Sequence, residues 1–276
     1  MTDFEQQKNP ENLFKNLQEK YYVEVPFPMK RKLIEEAVLA FFKFLEAPEE
    51  IKTEIDFTIA PQHRRGDIGY RHRDASDHLY NDNKEFFHFH PTIFERYKDF
   101  IAKHEVLSNF LNKAKPIWDL TYQTIFNVLN MMETNFPGVV DKVFKVQGDP
   151  IHIMVRFLKY DWASSGKYLA KPHFDAGSCT LAIAESCAGL RIGSCPENLQ
   201  LVPHTDEQAI FMLASNFKTI MDTSDFSAGW HDVIQLEDTY IGKPFSRWAV
   251  VAFIEAHGVK ALPRTETHKY FSGIET

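Results

Sequence analysis

Only three of the 276 residues are cysteine, at positions 179, 187 and 195. An odd count in a chain this long excludes a disulfide-stapled scaffold and fits free thiols in a reducing compartment. Their even spacing lacks the close pairs of a structural zinc site. Long apolar runs are also missing. The longest, Trp248 to Ile254, falls far short of the ~20 residues that a membrane-spanning helix needs. The first residues carry no basic stretch leading into an apolar core, so no signal peptide is expected and the reading is cytoplasmic. Positive charge is in deficit, with 31 Lys and Arg against 38 Asp and Glu and a net charge of -7. That balance, without a basic block, argues against nucleic acid as a partner, and the short apolar runs argue against a membrane.

What is present is ordinary for a globular chain: 44% hydrophobic and 25% charged residues, with 24 phenylalanines. Tyr21 to Phe27 reads as a short strand. Lys30 to Leu45 has a helical apolar period through Leu33, Ala37, Phe41 and Phe44, and Pro48 ends it. A second helical stripe runs from residue 104 to 132, and Pro116 inside it predicts a kink or a split. Between them, residues 60 to 91 are rich in His, Arg, Asp and Gly and read as long loops with one strand, Phe86 to His90. From residue 150 onward the pattern changes to short β-branched runs separated by turn residues: IHIMVRFLKYDW, CTLAIAES, GLRIG, LQLVPH, AIFMLA, HDVIQLED and WAVVAFIEA. Helices first and strands second predict an α+β chain with a mainly β core. The two parts are expected to share that core as one domain over 1–276, with a helical and loop region at 1–135 and the strand core at 150–276.

The pair His173 and Asp175 stands out. On a strand, residues i and i+2 face the same way, so an imidazole and a carboxylate could reach one ion together. With a second histidine from elsewhere they would make the two-histidine, one-carboxylate face used by non-haem Fe(II) oxygenases, which leaves positions open for O2 and a reductant. By itself His-x-Asp is weak and is more often a hydrogen-bonded surface pair.

Its context is stronger. From His173 through Asp175, Gly177, Ser178, Thr180, Leu181, Gly189 and Leu190 to Ile192, the chain resembles the isopenicillin N synthase-like Fe(II)/2-oxoglutarate-dependent oxygenases. VRFLKYDW is similar to the family strand whose tyrosine, Tyr160 here, touches a carboxylate of cosubstrate or substrate. DNKEFFHFHP and the N-terminal YYVEVPF and FFKFLEAPEEIKTEI also resemble family segments, so the likeness spans nearly the whole chain.

The resemblance implies a double-stranded β-helix, a distorted jelly roll, with N-terminal and central helices on its outer face and the active site in its mouth. It implies Fe(II) held by His173, Asp175 and a distal histidine. Of His204, His231, His257 and His268, the family's spacing selects His231, 58 positions after His173. It implies 2-oxoglutarate as cosubstrate, with Arg247 and Tyr160 on its carboxylates; the planar guanidinium fork suits a buried carboxylate. Two departures bear on this. Ala249 stands where the family has a serine, and the gap from His231 to Arg247 is longer than usual. Losing one hydrogen bond costs about 1 kcal/mol.

The expected reaction is therefore hydroxylation, desaturation or cyclisation of a small molecule with O2, releasing succinate and CO2. The Asp175 carboxylate argues against halogenation. The alternatives are an Fe(II) oxidase of the same family that does not use 2-oxoglutarate, and a non-catalytic jelly-roll binding protein. Arg64, Arg65, Arg71, Arg73 and Lys84 either recognise an anionic substrate or amino acid or form a solvated loop. His88 and His90 read as structural, and so does Arg156, which by strand period shares a face with Met154 and Leu158. Neither the substrate nor the oligomeric state is legible.

Overall fold

Twelve strands form two antiparallel sheets in the computed structural model, which describes residues 10–59, 67–73, 83–145, 150–163, 166–236 and 242–257. They are β1 (Val23–Pro26), β2 (Asp56–Thr58), β3 (Asp67–Arg73), β4 (Lys84–Phe89), β5 (Ile153–Tyr160) and β6 (Tyr168–His173), then β7 (Cys179–Glu185), β8 (Leu190–Gly193), β9 (Leu199–Leu201), β10 (Gln208–Leu213), β11 (Trp230–Ile234) and β12 (Arg247–Ile254). The large sheet has the order β1-β10-β7-β12-β5-β4-β3-β2, and the small one β6-β11-β8-β9. Sequence neighbours are often not sheet neighbours, so the chain crosses repeatedly between sheets, consistent with a jelly-roll fold.

The central strands of the large sheet are buried on both faces. On β5, Ile153, Val155 and Phe157 belong to an outer apolar cluster shared with the helices, whereas Leu158 and Tyr160 belong to an inner cluster shared with the small sheet. β10 divides in the same way, with Phe211 and Leu213 outward and Ile210 and Met212 inward. Two-sided burial explains why these strands read as nearly continuous apolar runs.

The principal helices, α1 (Pro10–Glu19), α2 (Arg31–Leu45) and α3 (Glu105–Met132), build the outer layer. Phe41 of α2 and Phe110 of α3 both meet Phe157 of β5, with ring centroids 6.1 and 5.1 Å apart. Trp118 fastens α3 to β5 by donating from Nε1 to the Ile153 carbonyl at 2.7 Å.

Three expectations are corrected. Pro116 does not split α3, which runs as one helix from Glu105 to Met132. The proline sits on the exposed side, where solvent can satisfy the carbonyl that loses its N–H partner. On α2 the buried face runs through Ile34, Ala37, Val38, Phe41 and Phe44, and Leu33 is 52% exposed. The described residues of 60–91 form two strands where one was expected, because Asp67–Arg73 pairs with Lys84–Phe89. Arg64 and Arg65 lie outside the described residues, as does His268.

No helix among the described residues is long and apolar enough to cross a membrane. The three cysteines are free thiols.

Candidate functional site

β6 and β11 pair so that His231 stands directly opposite His173. Their rings lie with centroids 4.3 Å apart. Asp175 is not on the strand with His173, because β6 ends at His173 and the carboxylate comes from the loop that follows. The expected period-two geometry therefore does not operate. A pinned loop replaces it: Ser215 N–H donates to the Asp175 carbonyl at 3.0 Å, Asn216 N–H to the Gly177 carbonyl at 2.8 Å, and Ser178 N–H to the Ile254 carbonyl at 2.8 Å. Gly177 has φ +113°, and a Cβ there would stand 2.8 Å from the Ile254 carbonyl oxygen, so this tight crossing requires glycine.

The result is a three-ligand patch. Asp175 Oδ1 lies 3.7 Å from His173 Nε2, and Oδ2 lies 3.4 Å from His231 Nε2. One ligand atom from each residue falls within 4.8 Å of the others. Bonds of about 2.1 Å to a shared ion place adjacent donors about 3 Å apart, so modest contraction suffices. The orientation is set from behind. His173 Nδ1 donates to the Lys171 carbonyl at 2.7 Å, and His231 Nδ1 faces the Gly229 carbonyl at 3.4 Å. Carbonyls only accept, so Nδ1 of each ring carries a proton and Nε2 is the atom turned toward the carboxylate. Thr180 Oγ1 donates to Asp175 Oδ2 at 2.9 Å.

Electrostatics agree with a cation site. Burial, then the facing His231, push His173 down to about 3. Burial would raise Asp175, but His231, His173 and Thr180 outweigh it and hold the carboxyl below its ordinary value. Burial would likewise lower His231, yet the Asp175 carboxylate raises it. Two imidazoles and one carboxylate thus compete for a single positive charge, and a metal ion meets that demand better than a shared proton. The donor set fits a first-row divalent ion with open positions.

The patch opens into a cavity between the sheets whose walls include Lys84, Arg156, Tyr160, Glu185, His204 and Arg247. Arg247 sits at the start of β12, opposite Tyr160 of β5. It is buried, at 2% exposure, and its Nε donates to the Cys187 carbonyl at 3.2 Å. Burial lowers its pKa to about 10, so it stays charged at neutral pH. Ala249 lines the same wall. Arg247 also forms an ion pair with Glu185, which is 3% exposed, and Glu185 Oε1 lies 3.4 Å from His204 Nδ1. Sequence reasoning missed Glu185. The available signal was one acid closing the otherwise apolar strand CTLAIAE.

Among the other candidates, His204 bonds the Ala182 carbonyl at 3.1 Å and stays outside the triad. His257 is likewise outside it. Arg156, read as structural, lines the cavity. His88 and His90 are buried, as expected, and each ring nitrogen has a partner. His88 Nδ1 donates to the Asp67 carbonyl at 2.6 Å and its Nε2 accepts from Arg156 Nε at 2.7 Å. His90 Nε2 donates to the Ile151 carbonyl at 3.0 Å, and Nδ1 accepts from the Thr92 N–H at 3.3 Å.

His90 carries a pH prediction. Burial lowers its pKa to about 4, so the folded protein takes up this proton later than the unfolded chain does. Its stabilising share is complete above the ordinary histidine value and is lost as pH falls from about 6.5 to about 4, to the extent of about 3 kcal/mol. Urea unfolding at stepped pH should show this slope, and His90→Gln should flatten it. An unchanged slope in the variant would refute the assignment.

No protein-family model matches the chain, and no curated protein does. Solved structures do match in fold. A full-length Neurospora crassa protein, in complex with alpha-KG and 5-formyluracil, aligns at 17% identity over 96% of this chain and 84% of its own, with a TM-score of 0.69. The Arabidopsis thaliana dioxygenase for auxin oxidation 1, in its 2-oxoglutarate complex, aligns at 15% identity over 92% and 90%, with a TM-score of 0.66. JOX2, in complex with 2OG, Fe and JA, aligns at 15% identity over 91% and 72%, with a TM-score of 0.65. At these identities the likeness establishes the fold that this chain shares with 2-oxoglutarate-Fe(II) oxygenase structures.

Proposed function

We propose that the protein is an Fe(II)- and 2-oxoglutarate-dependent oxygenase acting on a small molecule, built as a single double-stranded β-helix domain. The observation that carries this reading is the His173, Asp175 and His231 patch lining one cavity together with Arg247 and Tyr160. The structures that share the fold bind 2-oxoglutarate, and one binds iron as well, which supports the reading.

In this reading His173, Asp175 and His231 hold the metal through Nε2 and carboxylate oxygens. Bound there, iron chelated by the oxo-acid supplies O2 activation and oxidation of a substrate C–H bond, with release of succinate and CO2. The chain's own residues do the rest. The backbone carbonyls of Lys171 and Gly229 keep both imidazoles in one tautomer. Arg247 and Tyr160 take the far carboxylate of the oxo-acid, and the inner apolar wall of Leu158, Ala182, Leu190 and Met212 limits water. The three free cysteines support a reducing, cytoplasmic setting.

Glu185 favours a second reading, an Fe(II) oxidase without 2-oxoglutarate, because it already offers Arg247 a carboxylate. Two carboxylates on one buried guanidinium repel each other, so an incoming oxo-acid must displace Glu185 or see it protonated. Anaerobic titration with Fe(II) and then 2-oxoglutarate decides. A weak visible charge-transfer band is expected, and Glu185→Gln should tighten 2-oxoglutarate about tenfold, equivalent to about 1.4 kcal/mol of relieved repulsion. Iron binding with no band in either protein would favour the oxidase, and absence of iron binding would leave a binding protein.

A further inference from the structure

Glu185 meets two partners of different kinds. Its Oε2 pairs with the Arg247 guanidinium, and its Oε1 lies 3.4 Å from His204 Nδ1. All three side chains are buried, His204 being the most exposed at 7%. The Ala182 carbonyl sets the His204 tautomer. It faces Nε2 at 3.1 Å and can only accept, so Nε2 carries the proton of the neutral ring. Nδ1 and Oε1 are then two acceptors turned toward each other. Neither atom has a hydrogen-bond partner among the described residues. Buried polar atoms in that condition are costly. One added proton on Nδ1 would bond Oε1 once the two atoms close to about 3 Å.

The surrounding charges hold that proton off while Arg247 keeps Glu185. Burial is the largest influence on His204. The Ala182 carbonyl and Glu24 of β1 oppose it, Arg31 of α2 reinforces it, and the ring is pushed down to about 4. Arg31, itself paired with Glu35, also donates from Nη2 to the Glu185 carbonyl at 2.7 Å. His204 lines two spaces. One is the cavity, whose wall also carries Lys84, Arg156, Tyr160 and the metal patch. The other is an outer cleft shared with Arg31, Asp206 and Glu207, which gives a proton a way in from solvent.

A dicarboxylate changes this balance. Its far carboxylate on Arg247 sets two anions on one buried guanidinium, one negative charge too many for a low-dielectric wall. A proton from solvent cancels it. Glu185 then turns to the His204 imidazolium, and each anion has its own cation.

We propose that Glu185 and His204 are a proton-linked specificity pair: a dicarboxylate oxo-acid takes the Arg247 station together with one proton, held between Glu185 Oε1 and His204 Nδ1. The proposal rests on the oxygenase reading and deepens it. Solvent supplies the proton and recovers it when the acid leaves, and no other bond is made or broken. An oxo-acid with a neutral far end needs no proton, because Glu185 stays on Arg247.

Because a proton enters with the ligand, 2-oxoglutarate should bind about tenfold more weakly for each unit of rising pH above the His204 value of about 4. The test uses the full chain saturated with Mn(II) under anaerobic conditions. The probes are 2-oxoglutarate and 2-oxopentanoate, which present the same chelating end to the metal and differ at the far end. Calorimetry from about pH 6 to about pH 8, in buffers of different ionisation enthalpy, gives Kd and counts protons. 2-Oxoglutarate should take up about one proton and 2-oxopentanoate about none, and the ratio of their Kd values should rise about tenfold per pH unit. Glu185→Gln and His204→Asn should each cut the proton count to less than about half. The affinity that Glu185→Gln gains for 2-oxoglutarate should grow with pH.

A wild-type Kd ratio that stays within about twofold across this range overturns the proposal and leaves the oxygenase reading standing. A folded His204→Asn protein that still takes up a full proton also overturns it. If Glu185→Gln does not fold, the wild-type ratio and His204→Asn decide. If Mn(II) binds but neither oxo-acid does at any pH, in wild type or in Glu185→Gln, the oxygenase reading fails and the proposal falls with it.

Discussion

The His231→Ala protein should retain no iron after desalting and should show no substrate turnover, whereas His257→Ala should load iron like the wild type. His231 contributes one of three donors and lies 3.4 Å from Asp175. Loss of an outer partner alone commonly costs 10- to 100-fold in metal affinity, so loss of a ligand should cost more than about 100-fold. The two histidines differ in setting. His231 is buried with its Nε2 turned to the carboxylate, whereas His257 lies beyond β12, where its backbone N–H bonds the Lys142 carbonyl at 2.8 Å. Metal analysis against protein concentration is the measurement. One iron per chain in His231→Ala, or its loss in His257→Ala, would sink the triad assignment.

Arg247→Gln should destabilise the fold by about 3–5 kcal/mol even without any ligand, because it strands the Glu185 carboxylate in a buried wall. For a domain of this size that lowers Tm by roughly 10 °C. Adding Glu185→Gln should recover most of the loss, since two amides can hydrogen-bond in the same space at no charge cost. The same pair separates stability from function. The double variant should fold well and still fail to hold 2-oxoglutarate, because the cation is gone. Thermal unfolding and oxo-acid titration of the three proteins check both parts. A double variant no more stable than Arg247→Gln would show that Glu185 and Arg247 are not energetically coupled.

Much of this was readable before any coordinates. The strand runs after residue 150 became β5 and β7 to β12, because turn residues separate them and β-branched residues fill them. His173, Asp175, His231, Arg247 and Tyr160 all reach one cavity. That convergence followed from the family resemblance, not from periodicity. The period-two argument for His173 and Asp175 failed, since the strand stops at His173. Of strand β6 only the His173 end was read as a strand, because YLAKPH mixes apolar and basic residues and contains a proline.

Arg156 shows where strand reasoning ends. Period two groups it with Leu158 and Tyr160 on one face of β5. Both faces of that strand are apolar, so alternation cannot say which one meets the cavity. Glu185 was missed for a related reason. Its partner is 62 positions away in sequence, and the two meet only because β7 and β12 are adjacent in the sheet.

The sequence by itself determined most element types from local patterns, and its resemblance to a known family supplied the metal-ligand candidates and Arg247, because neither needs the order of strands in the sheets. The tertiary structure alone decided which face of β5 is inward, what neutralises Arg247 and how Asp175 is aimed. Those depend on sheet order and on a loop held by residues 254, 215 and 216, contacts that no local pattern encodes.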